Sequence, residues 1–110
     1  MNSTDSLTPV NDLTFASEVL AADRRVLVDV SAPWCAPCRA AEPVLANLAR
    51  ERAADLKVVR IDGEESPTLV SRLGVRGFPT FLLYERGHEV KREAGFRGVN
   101  ALRAFVDTAP

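Results

Sequence analysis

One stretch of the chain, RVLVDVS at 25–31, is β-branched and almost wholly apolar, broken only by Asp29, and a second, LKVVRID at 56–62, reads as another buried strand. A strand with one wet face alternates between apolar and polar residues. An unbroken run belongs to a strand covered on both faces, at the centre of a sheet with helices above and below. Between the two runs, APCRAAEPVLANLARERAA repeats Ala41, Val44, Leu45, Leu48 and Ala49 with a period near 3.6, the pattern of an amphipathic helix. Pro43 lies inside it, where it removes one donor and crowds the preceding turn. Strand, helix and strand in that order commit the chain to an α/β architecture.

The flanking segments extend the pattern. LTPV reads as a short edge strand, and NDLTFASEVLAAD then places Phe15, Val19 and Leu20 at helical spacing behind Asn11 or Asp12 as cap. SPTLVSRLG carries its own punctuation, with Ser66 as cap, Pro67 at the first helical position and Gly74 just past the end. TFLLYERGHEVKREAG reads as an antiparallel hairpin turning at Arg86-Gly87, with His88 as a surface turn residue. A last helix runs through VNALRAFVDTA with Leu102, Phe105 and Val106 inward. The expected order is β-α-β-α-β-α-β-β-α, an open sheet with helices on both faces and no repeat or linker. With 110 residues the chain fits one domain, which hides roughly two-thirds of its unfolded surface. The boundaries read as a polar tail over 1–6 and a single domain over 7–110.

Charge and composition exclude several classes of function. The chain is 46% apolar and 26% charged with a formal net charge of -1, as for an ordinary soluble globular protein. Its basic residues are scattered, Arg24-Arg25 and Lys91-Arg92 being the only adjacent pairs, so no positive stripe can track a nucleic-acid backbone. MNSTDSLTPVND has neither the basic start nor the apolar run of a secretory signal, and no stretch reaches the length of a membrane helix. The expectation is a cytoplasmic protein with no membrane partner.

Both cysteines, Cys35 and Cys38, fall in PWCAPCR. A disulfide between them would be a poor staple, since so short a loop restricts the unfolded chain by only about 2 kcal/mol. A zinc site lacks ligands, His88 being the only other soft or nitrogen candidate. Redox chemistry fits the placement. Cys35 stands where a strand ends and a helix begins, so free backbone N–H groups and the positive end of the helix dipole favour its thiolate. Cys38 is one turn on, with its sulfur beside that of Cys35 but less accessible. One sulfur attacks and the other resolves. Pro37 stiffens the first turn, where its missing N–H costs nothing. Asp29 interrupts the 25–31 run; with Val26, Val28 and Val30 on one face and Leu27 on the other, it is either buried among them or turned to solvent at a strand edge.

VLVDVSAPWCAPCRAAEPVL, then GVRGFPTFLLYERG, then the lone Gly95 before the last helix resemble the thioredoxin family, over nearly the whole chain from about Leu7. The resemblance implies a central mixed β-sheet flanked by helices on both faces and a protein-disulfide reductase. Cys35 would attack a client disulfide and Cys38 would resolve the mixed disulfide. Asp29, buried behind the active site in the family, would take the proton from Cys38, with its pKa raised by burial. Phe78-Pro79 matches the family's cis-proline loop, which lies against the cysteines and pairs with an extended substrate segment. Sequence alone would make that bond trans. Trp34, by itself a core residue, reads beside Cys35 as a partly exposed wall of the substrate groove, with Ala36 and Pro37 on its rim. Gly77 and Gly95 read as sites of close backbone approach or positive φ near the groove, or as plain turn glycines. Arg60 stands where the family often has a lysine near the buried acid. No bound cofactor is implied. Electrons would come from a flavin-containing thioredoxin reductase using NADPH, the partners would be disulfide-containing client proteins, and the chain would be a monomer.

The chain also departs from the family pattern. Ala36 replaces the usual glycine between the cysteines, Ser31 replaces an aromatic residue three positions before Trp34, and Glu42 places a carboxylate one turn beyond Cys38. Near the sulfurs Glu42 would disfavour the thiolate; facing solvent it would do nothing. Two other functions stand beside the reductase, a disulfide oxidase or isomerase of the same fold and a redox-silent binding module.

Overall fold

In the computed structural model, which describes residues 7–109, the apolar runs become the inner strands of one sheet; the tail over 1–6 lies outside the described residues. The elements are β1 (Thr8–Val10), a π-helical turn (Ala16–Leu20), β2 (Arg25–Ser31), α1 (Ala36–Glu51), β3 (Leu56–Asp62), α2 (Pro67–Leu73), β4 (Thr80–Glu85), β5 (His88–Ala94) and α3 (Val99–Asp107). The five strands lie in the order β1-β3-β2-β4-β5. β1, β2 and β3 run parallel, and β4 and β5 are antiparallel, which makes the sheet mixed.

β2 has a neighbour on each side and helices over each face, which is why its sequence shows no alternation. Leu27, Val58, Phe81 and Leu83 pack under α1 and α3 with Leu45, Leu48, Leu102 and Phe105. Val26, Val28, Val30, Val59, Ile61 and Leu82 fill the opposite layer with Val19 and Leu69. At roughly 2 kcal/mol per large side chain removed from water, the first layer supplies the main force that holds α1 and α3 to the sheet, and the second does the same for α2 on the other face. The hairpin turns at Arg86 and Gly87, with φ of 51° and 81°. Two successive left-handed residues make the tight turn whose twist matches that of paired strands.

Two local expectations differ from what forms. The first helix is a five-residue π turn closed by Ala21 N–H donating to the Ala16 carbonyl at 2.9 Å. Its wider pitch breaks the 3.6-residue stripe, so Val19 is buried, Phe15 is half-buried against Tyr84, and Leu20 is 41% exposed. Asn11, not Asp12, caps the approach, its Oδ1 accepting from Leu13 N–H and Thr14 N–H at 2.9 and 3.1 Å. At α2, Ser66 occupies the cap position but its hydroxyl makes no capping bond, while Pro67 and Gly74 (φ 69°) stand as expected. Ser66 is buried, and its backbone N–H instead donates to the Asp62 carbonyl at 3.0 Å.

Candidate active site

β2 ends at Ser31, and α1 begins five residues later with Cys35 as its N-cap residue. The β backbone of Cys35 (φ -88°, ψ 111°) aims its side chain back across the open end of the helix, where the N–H of Cys38 donates to Cys35 Sγ at 3.3 Å. The first turn therefore does for sulfur what it does for a capping oxygen. Cys35 and Cys38 are joined in a disulfide, with Cα atoms 5.2 Å apart, so this is the oxidised form of the pair. In this form the expected difference in access is absent: Cys35 is 4% exposed and Cys38 3%. Their neighbours differ instead.

Cys35 faces a groove. Its Sγ lies 3.6 Å from the carbonyl oxygen of Phe78, and the Phe78–Pro79 peptide is cis. Trp34, 64% exposed, meets the Phe78 ring edge-on at 6.0 Å, and its indole N–H donates to Glu64 Oε2 at 2.7 Å. Ala36 and Pro37 are exposed at the rim. Gly95 has φ of 87°, and its N–H donates to the Pro79 carbonyl at 2.8 Å, tying the end of β5 to the proline loop. Gly77 is a plain turn glycine, since its backbone is not left-handed and a Cβ there would enter open space. Its carbonyl accepts from Thr80 Oγ1 at 2.8 Å. The glycine that does permit a close approach is Gly63, where an added Cβ would collide with the Phe78 ring.

Cys38 faces a different space, a cleft of about 240 Å³ whose walls include Ser31, Arg39, Glu42, Arg60 and Asp62. The register explains the grouping. Asp29 pairs with Arg60 across the parallel β2–β3 ladder and with Phe81 across β2–β4, so these side chains rise from the sheet on the α1 side. The alternative of a solvent-facing Asp29 is thereby overturned, for its exposure is 0%. Arg60 Nε approaches Asp29 Oδ2 to 3.6 Å, an ion pair without a hydrogen bond, and both carboxyl oxygens of Asp29 lack a hydrogen-bond partner. Burial pushes the Asp29 carboxyl up to about 7, against the opposing pull of the Arg60 charge. Glu42 does not face open solvent; it lines the same cleft as Cys38. It is half-buried over the cleft, with Oε1 3.2 Å from Arg60 Nη2. Ser31 is buried in the cleft wall, so a small side chain leaves room there that an aromatic one would fill. Pro43 lies exposed on α1, one residue beyond Glu42.

The thioredoxin family model matches residues 6–108. The chain is 41% identical over 102 residues to thioredoxin of Mycobacterium tuberculosis (strain H37Rv), covering 92% of this chain and 88% of that one. It is 41% identical over 86 residues to thioredoxin 1 of Nostoc sp., covering 78% and 80%, and 39% identical over 90 residues to thioredoxin of Porphyra purpurea, covering 82% and 84%. The chain belongs to the thioredoxin family. Its mixed sheet with helices on both faces is the thioredoxin fold, and its linked cysteine pair is the redox-active disulfide of a thiol-disulfide oxidoreductase, acting as a protein-disulfide reductase. The oxidase, isomerase and binding-module readings are not favoured. Family membership implies disulfide-bearing client proteins and a reductase that restores the dithiol.

Sequence reasoning about this thioredoxin-family site missed Gly63, Glu64, Arg39 and Asp62. A faint signal existed for the first two, because Gly63-Glu64 follow a buried strand directly and strand ends in an α/β sheet line its sites. Arg39 is held by its Nη1 donating to the Pro33 carbonyl at 2.8 Å. Among the described residues, no group of three or more His, Cys, Asp or Glu comes together to hold a metal ion, and no helix is long and apolar enough to cross a membrane. His88 is the exposed first residue of β5.

Proposed function

We propose that Cys35 is the nucleophile, Cys38 the resolving thiol and Asp29 the base of this reductase. In the reduced protein the Cys35 thiolate attacks one sulfur of a client disulfide; the client S–S bond breaks and its second sulfur leaves as a thiolate, which takes a proton from solvent. Cys38 then passes its proton to Asp29, buried behind the cleft wall formed by Arg60 and Ser31, and attacks Cys35 Sγ. The mixed disulfide breaks, the client's first sulfur leaves as a thiolate, and the protein is left in its disulfide form. Two electrons have moved from the protein to the client. The observation that carries the assignment of Cys35 is its place at the open end of α1 with the Cys38 N–H on its sulfur, a contact that favours negative charge there. Asp29, poised at about 7, is half ionised near neutral pH and can both accept and return a proton.

The surface around Cys35 supports a client groove formed by Trp34, Ala36, Pro37, Phe78, Pro79 and Gly95, with Gly77 exposed beside it. An extended client segment would pair with the backbone at residue 78. In this reading residues 7–110 form one domain that works as a monomer, with Arg60 and Pro43 as supporting residues. It binds no cofactor and is re-reduced by a reductase drawing on NADPH. The cytoplasm, which keeps thiols reduced, is the compartment such a reductant serves.

Cys38→Ser tests the assignment of roles. It should accumulate a covalent complex with a disulfide-bearing protein through Cys35, which Cys35→Ser should not do. Complexes trapped equally by both variants would refute it. The reduction potential of the pair, read from Trp34 fluorescence in thiol-disulfide buffers, should lie at or below that of glutathione, each 30 mV being worth about 1.4 kcal/mol.

A further inference from the structure

The disulfide exchange gives Glu42 no task, yet its placement is specific. Arg60 stands between two carboxylates, with Nη2 3.2 Å from Glu42 Oε1 and Nε 3.6 Å from Asp29 Oδ2. The closer contact goes to the more exposed acid, whose side chain is 30% accessible against 1% for Asp29. Both oxygens of Asp29 and the Nε of Arg60 are buried without a hydrogen-bond partner. A guanidinium is a rigid fork of five N–H donors, and its strongest contact with a carboxylate is the two-bond clamp. That clamp would satisfy the three orphaned atoms, and it is not made.

We propose that Glu42 is a positioning residue, which holds Arg60 by Nη2 and keeps the guanidinium from closing on Asp29. The proposal rests on the reading of Asp29 as base in giving this hold a purpose. A fully clamped Asp29 would be a permanent carboxylate too weak to take a thiol proton, whereas the shared Arg60 leaves it able to titrate near neutrality. The groups around Asp29 are consistent with this division. β3 contributes Arg60, α1 contributes Glu42, β4 places Phe81 opposite, and Ser31 lies on β2 itself; Cys38 and Arg39 of α1 and Asp62 of β3 stand on the wall of the cleft that Arg60 and Glu42 also line. Glu42 also acts on Asp29 through its own negative charge, which raises the Asp29 pKa in the same direction.

The test is a titration of the Asp29 carboxyl by carbon NMR in the oxidised full-length protein, for wild type, Glu42→Gln, Arg60→Gln and the double variant. Glu42→Gln should move the Asp29 midpoint down by about one pH unit, a tenfold change in proton affinity. In the Arg60→Gln background the same substitution should move it by much less, because nothing remains to be released. An unchanged midpoint in Glu42→Gln overturns the proposal, and so does an equal downward shift in both backgrounds, which would mean that Glu42 acts by its charge alone. The pH profile of mixed-disulfide release, measured on the same variants, separates the two readings. If the midpoint falls and the acid limb of the profile follows it, both stand. If the midpoint falls and the profile does not move, Glu42 positions Arg60 as proposed and Asp29 is not the base.

Discussion

Asp29→Asn exchanges a carboxyl for an amide of the same shape in a wholly buried position between Arg60 and Phe81. In the folded protein the carboxyl ionises at about 7, and on unfolding it regains its ordinary value of 3.8. The folded state therefore holds the proton more tightly. Below about pH 4 both states are protonated, and the acid makes its full contribution to stability. From there to about pH 7 the unfolded chain has released a proton that the native protein still holds. Stability falls across that window by about 1.4 kcal/mol per pH unit, reaching a loss of about 4 kcal/mol that stays constant at higher pH. The amide, which does not titrate, has no such loss.

The variant should therefore match the wild type near pH 4, apart from a pH-independent difference in packing, and exceed it by about 4 kcal/mol at about pH 8. Urea unfolding of the oxidised forms at a series of pH values, followed by circular dichroism, measures this directly, because the intact disulfide keeps the transition free of thiol exchange. A stability difference that does not change with pH would refute the reasoning, since it would mean that the carboxyl titrates alike in the folded and unfolded chains.

Other substitutions have outcomes as definite. Gly87→Ala should cost about 1–2 kcal/mol by thermal or urea unfolding, because φ is 81° and the new Cβ would lie 3.0 Å from the Leu20 carbonyl oxygen. Gly63→Val should displace the Phe78 ring and raise KM for a protein disulfide severalfold, while leaving the rate with a small soluble disulfide nearly unchanged; equal effects on both would place the damage at the sulfurs instead of the groove. Leu27→Ala, in the layer under α1, should cost about 2–5 kcal/mol by denaturant unfolding, with the reduction potential of the pair unaltered.

The order of elements was legible because burial on both faces writes a nearly continuous apolar run into β2 and keeps Leu56, Val58, Val59 and Ile61 apolar in β3, and burial on one face writes a stripe into α1 and α3. The cysteine pair was legible because its chemistry depends on local spacing. The first helix misled, since a π turn shifts the side chains off the 3.6-residue stripe without changing the residue types present. Ser66 misled because cap propensity says nothing of where a buried hydroxyl points. The alternation of valines around Asp29 left it buried or solvent-facing, and only the family resemblance implied burial; its pairing with Arg60 depends on the β2–β3 register, and Glu42 joins them only once α1 lies across the sheet. Gly63 and Phe78 meet through tertiary structure alone, so neither residue marks the other in the sequence.

A buried acid with two unbonded oxygens is a poor way to hold a sheet together. An apolar side chain of similar volume would fill the same space without the desolvation of a charge, and a loss of about 4 kcal/mol is a large fraction of the 5–15 kcal/mol that keeps a domain folded. Packing therefore supplies no reason for Asp29, whereas the proposed proton transfer to and from Cys38 would. The same logic constrains Arg60. Without any positive charge nearby, burial would hold the acid protonated well above neutral pH, and it could accept nothing from a thiol. With a full clamp it would stay ionised and bind a proton too weakly to help. A guanidinium at 3.6 Å, shared with Glu42 at 3.2 Å, lies between these limits, so Arg60→Gln and Glu42→Gln should drive the Asp29 midpoint in opposite directions from a wild type set near the pH at which the exchange must run.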